Sequence, residues 1–204
     1  MTSPPVRLGA VILAAGSSTR FGSPKQLLDI DGEPMVRSIA RRAMGAGLTT
    51  VMVVIGFEGN RVTAALDGLG VHVAANPSWI TGMGSSLSIG VRAIVSIEPT
   101  LDSIMVLLGD QPGIRVADLQ AMIAAHTQAP DRIVACANEE TLGPPCIFPQ
   151  RYRDELIALD GHAGARHLLE HHADMVDGFT LPAAFTDIDT PSDYIAWKTG
   201  NPTS

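Results

Sequence analysis

The chain has 204 residues, of which 46% are hydrophobic and 17% charged, and its formal net charge at pH 7 is −7. This length fits one domain that buries roughly 70% of the surface exposed by the unfolded chain, so no disulfide or metal staple is needed. An acidic chain with 4% aromatic residues is poorly suited to binding a nucleic-acid backbone or stacking single-stranded bases. The sequence has neither an apolar leader at its N-terminus nor an apolar run of about 18 residues, so no membrane span and a cytoplasmic location are expected.

Short apolar runs alternate with segments of helical period. Strands are predicted at 10–15, 50–56, 71–75 and 103–110, and a helix is predicted after each of them. Two more strands are predicted at 132–137 and 145–149, followed by two short helices within 150–171. The segment 187–194 is expected to end a last strand and to open a terminal helix, with Thr190 as its cap and Pro191 at its first position.

This order predicts a single α/β domain over residues 1–204. Strands that are apolar throughout are buried on both faces, and strands that alternate with helices pair in parallel. We therefore expect one doubly wound, mostly parallel sheet flanked by helices, with a small β-rich C-terminal part. Ligands of such sheets bind beyond the carboxyl ends of the strands.

The first strand runs directly into a polar, positively charged loop. Gly16 allows close approach of a ligand, Ser18 and its neighbours supply hydroxyls, and Arg20 and Lys25 can hold phosphate oxygens. The loop matches neither the G-x-x-x-x-G-K-[ST] nor the G-x-G-x-x-G pattern. Composition alone leaves two interpretations open, a polyphosphate-binding loop and a solvated surface loop with two ordinary cations.

Carboxylates follow two later strands. Asp110 comes directly after the strand at 103–110, where it could bind Mg²⁺ or simply form a turn before Pro112. Asp187 and Asp189 are spaced to lie on the same face of a strand, and they could join a metal site or cap the terminal helix.

A glycine-rich segment precedes the third helix. Its spacing predicts that Ser85 or Ser86 caps this helix, and the same hydroxyls could contact a base or a phosphate.

Five stretches of the sequence together resemble a known family. Leu13-Ala14-Ala15-Gly16-x-Ser18-x-Arg20-x-Gly22-x-x-Lys25 resembles the signature loop of nucleotidyltransferases with a Rossmann-like, GT-A type fold. The other four, in order, are Asn76-Pro77-x-Trp79-x-x-Gly82-Met83-x-x-Ser86-Leu87, Gly109-Asp110-Gln111-Pro112, Gly164-Ala165-Arg166 and Asp187-Ile188-Asp189-Thr190-Pro191. The ordered set is similar to the molybdenum cofactor cytidylyltransferase group.

The resemblance implies an enzyme that transfers CMP from CTP to the terminal phosphate of molybdopterin and releases pyrophosphate. It implies catalytic roles for Arg20, Lys25 and Asp110, with Mg²⁺ bound by Asp110 and Asp189. It places the nucleotide in the half spanning about residues 8–112 and the acceptor in the half spanning about 113–197. It also implies delivery of the product to a molybdenum hydroxylase of the xanthine dehydrogenase type. The implied nucleotide-binding residues are Leu13, Ala14, Ala15, Gly16, Ser18, Arg20, Lys25, Asn76, Gly82, Ser85 and Ser86.

Two positions depart from the family pattern in the acceptor half. Pro144 stands where relatives usually carry histidine, and His162 stands where they usually carry aspartate. Three alternatives therefore stay open: a guanylyltransferase, another nucleotidyltransferase with a different phosphate acceptor, and a non-catalytic chaperone that delivers the cofactor. The Leu-Ala-Ala-Gly sequence of the first loop favours CTP, because the guanylyltransferases usually carry Leu-Ala-Gly-Gly.

Overall fold

The computed structural model describes residues 6–19, 21–139, 141–161 and 163–200. These residues form a seven-stranded sheet and a separate two-stranded hairpin. The strands are β1 (Leu8–Ala14), β2 (Asp29–Ile30), β3 (Glu33–Pro34), β4 (Thr50–Ile55), β5 (His72–Ala75), β6 (Ser103–Leu108), β7 (Ile133–Ala137), β8 (Leu142–Pro149) and β9 (Val176–Thr180). Strands β2 and β3 form the hairpin, and the order across the large sheet is β5-β4-β1-β6-β8-β7-β9.

The large sheet is mostly parallel. Strand β1 lies between β4 and β6 and is parallel to both, β5 is parallel to β4, and β9 is parallel to β7. Strand β8 is the exception, since it runs antiparallel to both β6 and β7. This topology confirms the predicted fold.

Helices cover both faces of the sheet. They are α1 (Met35–Gly45), α2 (Gly59–Ala65), α3 (Met83–Ile97), α4 (Val116–Gln128), α5 (Arg153–Ala158), α6 (Ala165–His171) and α7 (Pro191–Gly200). Side chains of α1, α2 and α4 belong to one apolar cluster, and those of α3, α5 and α6 belong to a second. Across the described residues, every helix is too short or too polar to cross a membrane.

Strand β1 shows why the sheet is covered on both sides. Ala10 and Ile12 belong to the cluster that contains Met35 of α1, whereas Val11 belongs to the cluster that contains Leu87 of α3. All of these side chains are buried. Because successive strand residues point to opposite faces, a strand that is apolar at every position needs a helical layer on each side.

The chain after α6 differs from the prediction. Strand β9 was not predicted, and the prediction of a last strand that ends within 187–194 is wrong. After β9 the chain forms a short 3₁₀ helix at Pro182–Phe185 and then an irregular segment up to the terminal helix. The Ile188 amide donates to the carbonyl of Asp110, and no ladder forms along this segment. The predicted cap of α7 is confirmed, since the Thr190 hydroxyl accepts a hydrogen bond from the Asp193 amide at 3.2 Å.

Candidate active site

The loops that leave β1 and β6 start side by side. Leu13 and Leu108 are partners across the parallel pair, and the Gly109 amide donates to the Leu13 carbonyl at 2.9 Å. A Cβ atom on Gly109 would lie 3.0 Å from that carbonyl oxygen and 3.1 Å from the Cβ of Ala14. Glycine at 109 therefore lets Asp110 follow β6 directly beside the loop that follows β1.

A cavity of about 210 Å³ opens at this edge of the sheet. It is lined by residues from the β1 loop, the start of α3, the end of β6 and the segment before α7. The lining residues are Leu13, Gly16, Ser18, Thr19, Lys25, Gln26, Met83, Leu108, Gly109, Asp110 and Asp189. The edge predicted to bind a ligand thus carries a cavity whose lining includes three charged side chains, those of Lys25, Asp110 and Asp189.

The loop after β1 is held in shape by its own hydrogen bonds. Ser18 adopts a left-handed conformation (φ 53°), and its carbonyl accepts hydrogen bonds from the amides of Phe21 and Gly22. Its hydroxyl accepts a hydrogen bond from the Lys25 amide at 3.1 Å. The buried side chain of Gln26 donates to the Gly16 carbonyl at 2.9 Å. A loop fixed in this way can present its groups to a ligand without first being ordered.

A lysine sits between two carboxylates in the cavity. The Nζ atom of Lys25 lies 2.6 Å from Oδ2 of Asp110 and 2.6 Å from Oδ1 of Asp189. The Lys25 side chain is 12% exposed, against 22% for Asp110 and 32% for Asp189. Burial tends to lower the pKa of Lys25, but the two carboxylates outweigh that effect and raise its pKa. The ammonium group is therefore charged at neutral pH.

The carboxylate of Asp110 fits a divalent cation. Its Oδ2 contacts Lys25, whereas its Oδ1 is buried and has no hydrogen-bond partner among the described residues. An unpaired buried carboxylate oxygen is costly unless a ligand satisfies it. No group of three or more His, Cys, Asp and Glu side chains in the described ranges is arranged to hold a metal ion. A cation here would thus take one or two carboxylates and complete its shell with substrate oxygens, as Mg²⁺ commonly does.

The segment before α7 brings the second carboxylate. The side chain of Ile188 is 1% exposed and packs into the core, which directs its two neighbours away from the core. Although much of Asp187 is exposed, loss of hydration at its carboxyl group and repulsion from Asp110 raise its pKa to about 6. The predicted alternation of faces therefore holds even though the segment is not a strand.

The glycine-rich segment before α3 is organised by Asn76. Its side-chain nitrogen donates to the hydroxyls of Ser85 and Ser86, both at 2.9 Å. The prediction that one of these serines caps the helix is wrong, because α3 begins at Met83 and both serines lie within its first turn. With φ 130°, Gly82 allows the chain to enter the helix earlier than the serine spacing suggested.

The structure brings together some of the predicted site residues and separates others. Leu13, Gly16, Ser18, Lys25, Asp110 and Asp189 line the cavity. Asn76 lines a neighbouring cavity of about 490 Å³ between the ends of β4 and β5. The cavity around Lys25, Asp110 and Asp189 is called the main cavity below. In the part of the chain that the structure describes, it is not lined by Ala14, Ala15, Gly82, Ser85 or Ser86. Arg20 lies outside the described residues, as does His162.

Gln26 and Met83 are among the cavity residues that had no role in the sequence prediction. Gln26 was missed because it belongs to none of the motifs that carry the family resemblance. Its only signal was an amide side chain next to two leucines. Met83 belonged to the family-like motif, but only the structure shows that its side chain faces the cavity.

Residues 10–176 match the family model described as the MobA-like NTP transferase domain. The chain belongs to this family. The matched residues include most of β1, the loop with Lys25, and Asp110, so the cavity lies mostly within the NTP transferase domain. Asp189 lies beyond the matched range and reaches the cavity through the segment before α7.

Relatives of this NTP transferase domain span most of the chain. The purine catabolism protein PucB of Bacillus subtilis is 32% identical, over 90% of this chain and 92% of its own. The nicotine blue oxidoreductase of Paenarthrobacter nicotinovorans is 31% identical, over 82% of this chain and 83% of its own. The crystal structure of Rv0371c from Mycobacterium tuberculosis is 28% identical, with a TM-score of 0.78 over 94% of this chain and 97% of that one. Another structure of Rv0371c is a complex with manganese, 27% identical with a TM-score of 0.72 over 93% of this chain and 97% of that one.

Proposed function

We propose that the protein transfers CMP from CTP to the terminal phosphate of molybdopterin, releasing pyrophosphate and forming a cytosine dinucleotide cofactor. The observation that carries the proposal is the contact of Lys25 with Asp110 and Asp189 in a cavity at the carboxyl ends of β1 and β6. This combination supplies one cation for phosphate oxygens and two carboxylates for a metal ion. The family-like motifs add the choice of CTP and of molybdopterin.

The reaction asks little covalent chemistry of the protein. An oxygen of the acceptor phosphate forms a bond to the α-phosphorus of CTP. The bond from that phosphorus to the bridging oxygen breaks, and pyrophosphate leaves with the electron pair. A phosphate monoester is largely ionised at neutral pH, so no strong general base is required. Positioning and charge stabilisation therefore supply most of the catalysis.

Each cavity group has a role in this scheme. Lys25 neutralises charge that develops on the leaving pyrophosphate, together with Arg20. Ser18 and Gly16 shape the loop that holds the triphosphate. Asp110 and Asp189 would hold Mg²⁺, which when bound would neutralise and orient the phosphate oxygens. The manganese complex of Rv0371c supports a divalent cation in this family.

We extend the proposal to the base, the acceptor and the destination of the product. Gly16 and Met83 line the main cavity. We assign their near neighbours in the sequence to the cytosine end of the nucleotide, namely Ala14, Ala15, Gly82, Ser85 and Ser86. We also propose that residues 8–112 bind the nucleotide and residues 113–197 bind the acceptor within a single domain. The product would pass in the cytoplasm to a molybdenum hydroxylase of the xanthine dehydrogenase type.

One relative bears the name of an oxidoreductase, whereas the features of this chain favour transfer. The sequence contains no G-x-G-x-x-G fingerprint of a dinucleotide-binding fold. The cavity instead places a charged lysine against two carboxylates. Those groups match the needs of a triphosphate with a metal ion.

To test the proposal, the purified protein is incubated with Mg²⁺ and molybdopterin, and CTP, GTP and ATP are each added in a separate reaction. Pyrophosphate release and the mass of the pterin product are measured. We expect product with CTP. Turnover should fall by more than about a hundredfold in Asp110→Asn, since the metal site would lose a negative charge. Asp67→Asn is the matched control, because Asp67 is exposed and lines neither of the two cavities described above.

Each other result identifies a different activity. Product with GTP alone would replace the cytidylyltransferase by a guanylyltransferase. A folded protein that binds CTP but releases no pyrophosphate would overturn the proposed transfer and favour delivery of a finished cofactor.

A further inference from the structure

The first turn of α3 rests on the segment that joins α5 to α6. The Gly84 amide donates to the Gly161 carbonyl at 2.9 Å. The Met83 side chain lies 3.4–3.7 Å from the place where Gly164 would carry a Cβ atom. Because Met83 also lines the main cavity, a single side chain separates this segment from the cavity.

Position 84 requires glycine because main-chain atoms of a neighbouring segment lie where a Cβ atom would be. A Cβ atom there would lie 2.4 Å from the carbonyl oxygen of Asp160 and 2.5 Å from that of Ala163. Real Cβ contacts are essentially never shorter than 3.0 Å. Since both neighbours are main-chain atoms, any other residue must displace the segment by about half an ångström or more.

Helix α3 is attached to the same region at a second place. The Ser88 hydroxyl and the Arg92 guanidinium both donate to the carbonyl of Ile157, at 2.5 and 3.0 Å. On its other side, the first turn of α3 is attached to Asn76 through two serine hydroxyls. One helix therefore connects the proposed nucleotide side of the main cavity with the segment between α5 and α6.

We propose that Gly84 is a positioning residue that sets the distance between the nucleotide and the acceptor. It lets residues 160–161 and 163–164 lie directly on α3, which fixes the start of α6 beside the cavity. The inference rests on the proposed function, because it takes the region after residue 113 as the acceptor side. In-line attack needs the reacting atoms about 3–3.5 Å apart, and a misplacement of about 1 Å can cost about a hundredfold in rate. The displacement that a Cβ atom forces is of this order.

The test compares Gly84→Ala with Gly200→Ala. Both replace a helical glycine, but a Cβ on Gly200 meets nothing within 4 Å. We expect Gly84→Ala to keep its Kd for Mg·CTP within about threefold of the wild type while kcat/KM for the acceptor falls at least about tenfold. Gly200→Ala should match the wild type in both quantities. Unchanged turnover in Gly84→Ala, or a loss of CTP binding as large as the loss of turnover, would overturn the proposal.

A second readout does not depend on activity. Amide hydrogen exchange of a peptide covering 156–169 should be faster in Gly84→Ala than in the wild type and Gly200→Ala. Exchange at the wild-type rate would refute the positioning role, even if the wild type proved to transfer no nucleotide and the proposed function had failed. If Gly84→Ala does not fold, Arg92→Met is used instead. This variant removes the hydrogen bond from Arg92 to the Ile157 carbonyl and adds no atom at the contact of Gly84. It should speed exchange in the same peptide and lower acceptor kcat/KM with CTP binding retained, and wild-type behaviour in both would count against the proposal.

Discussion

Replacing Lys25 by methionine should change metal binding and catalysis in opposite directions. The ammonium group lies 2.6 Å from both Asp110 and Asp189, where it occupies the position of a cation between two carboxylates. Lys25→Met keeps most of the side-chain volume but leaves the two negative charges uncompensated. A divalent cation should therefore bind the free protein more tightly, whereas nucleotidyl transfer should lose the charge that stabilises the leaving pyrophosphate.

The size of the effect follows from the geometry and the exposure. Two unit charges about 4 Å apart interact by about 4 kcal/mol at an effective dielectric constant of about 20. The three side chains are between 12% and 32% exposed, so solvent reduces this value. We expect a net gain of about 1.4 kcal/mol, which corresponds to about tenfold tighter binding of Mn²⁺. Turnover should fall by more than about a hundredfold, a loss of about 2.7 kcal/mol of transition-state stabilisation.

The assay measures Mn²⁺ binding by electron paramagnetic resonance in the absence of nucleotide, and pyrophosphate release in its presence. Lys198→Met is the matched control, because Lys198 pairs with Asp29 at 2.8 Å on the surface and is 47% exposed. The control should change neither quantity beyond about twofold. The reasoning would be refuted if Lys25→Met bound Mn²⁺ no more tightly than the wild type and kept near-normal turnover.

Three further outcomes are expected. Phe148→Ala should lower the free energy of unfolding by about 3–5 kcal/mol, because Phe148 is fully buried between the sheet and the helices. A decrease of less than about 1 kcal/mol, measured by urea titration, would contradict this packing. Burial lowers the pKa of His126, so on acidification the unfolded chain is protonated at this histidine before the folded chain is. The free energy of unfolding should therefore decrease as the pH falls below about 6.5, by at most about 1.4 kcal/mol per pH unit. His126→Gln should remove that part of the slope in urea titrations at pH 7, 6 and 5, and an unchanged slope would exclude His126 as its source. Ser18→Ala removes the hydroxyl that accepts a hydrogen bond from the Lys25 amide, so KM for CTP should rise about five- to tenfold. An unchanged KM would show that the loop keeps its shape without this hydrogen bond.

The sheet was predictable because the sequence signals of its strands lie within each strand and in the residues directly after it. The parallel strands β1, β4 and β6 are short and almost wholly apolar, and each is followed by a break and then by helical spacing. The edge at which ligands bind follows from the parallel order alone, so the proximity of Lys25 and Asp110 could be expected from the sequence. Nothing in the two motifs indicates, however, that the lysine would contact the carboxylate directly.

The parts that escaped prediction depend on contacts between distant residues. Gln26 reaches the carbonyl of Gly16 only because the loop folds back on itself. The segment around Ile188 looked like a strand because its polar and apolar residues alternate, but its amide pairs with Asp110 instead of a neighbouring strand. Strand β9 contains a glycine and an aspartate, which are uncommon in strands, so its parallel pairing with β7 had no local signal.

The contact at Gly84 also bears on how such a fold can serve different acceptors. Two carbonyl oxygens, of Asp160 and Ala163, make the contact, and every residue type carries a carbonyl oxygen. Side chains between α5 and α6 can therefore change without altering the fit against α3, provided that position 84 stays a glycine. The charged groups around Lys25, in contrast, suit any transfer of a nucleotide to a phosphate. The choice of acceptor would then depend on the side chains of the segment between α5 and α6. The distance from nucleotide to acceptor would depend on backbone atoms, which stay in place when those side chains are substituted.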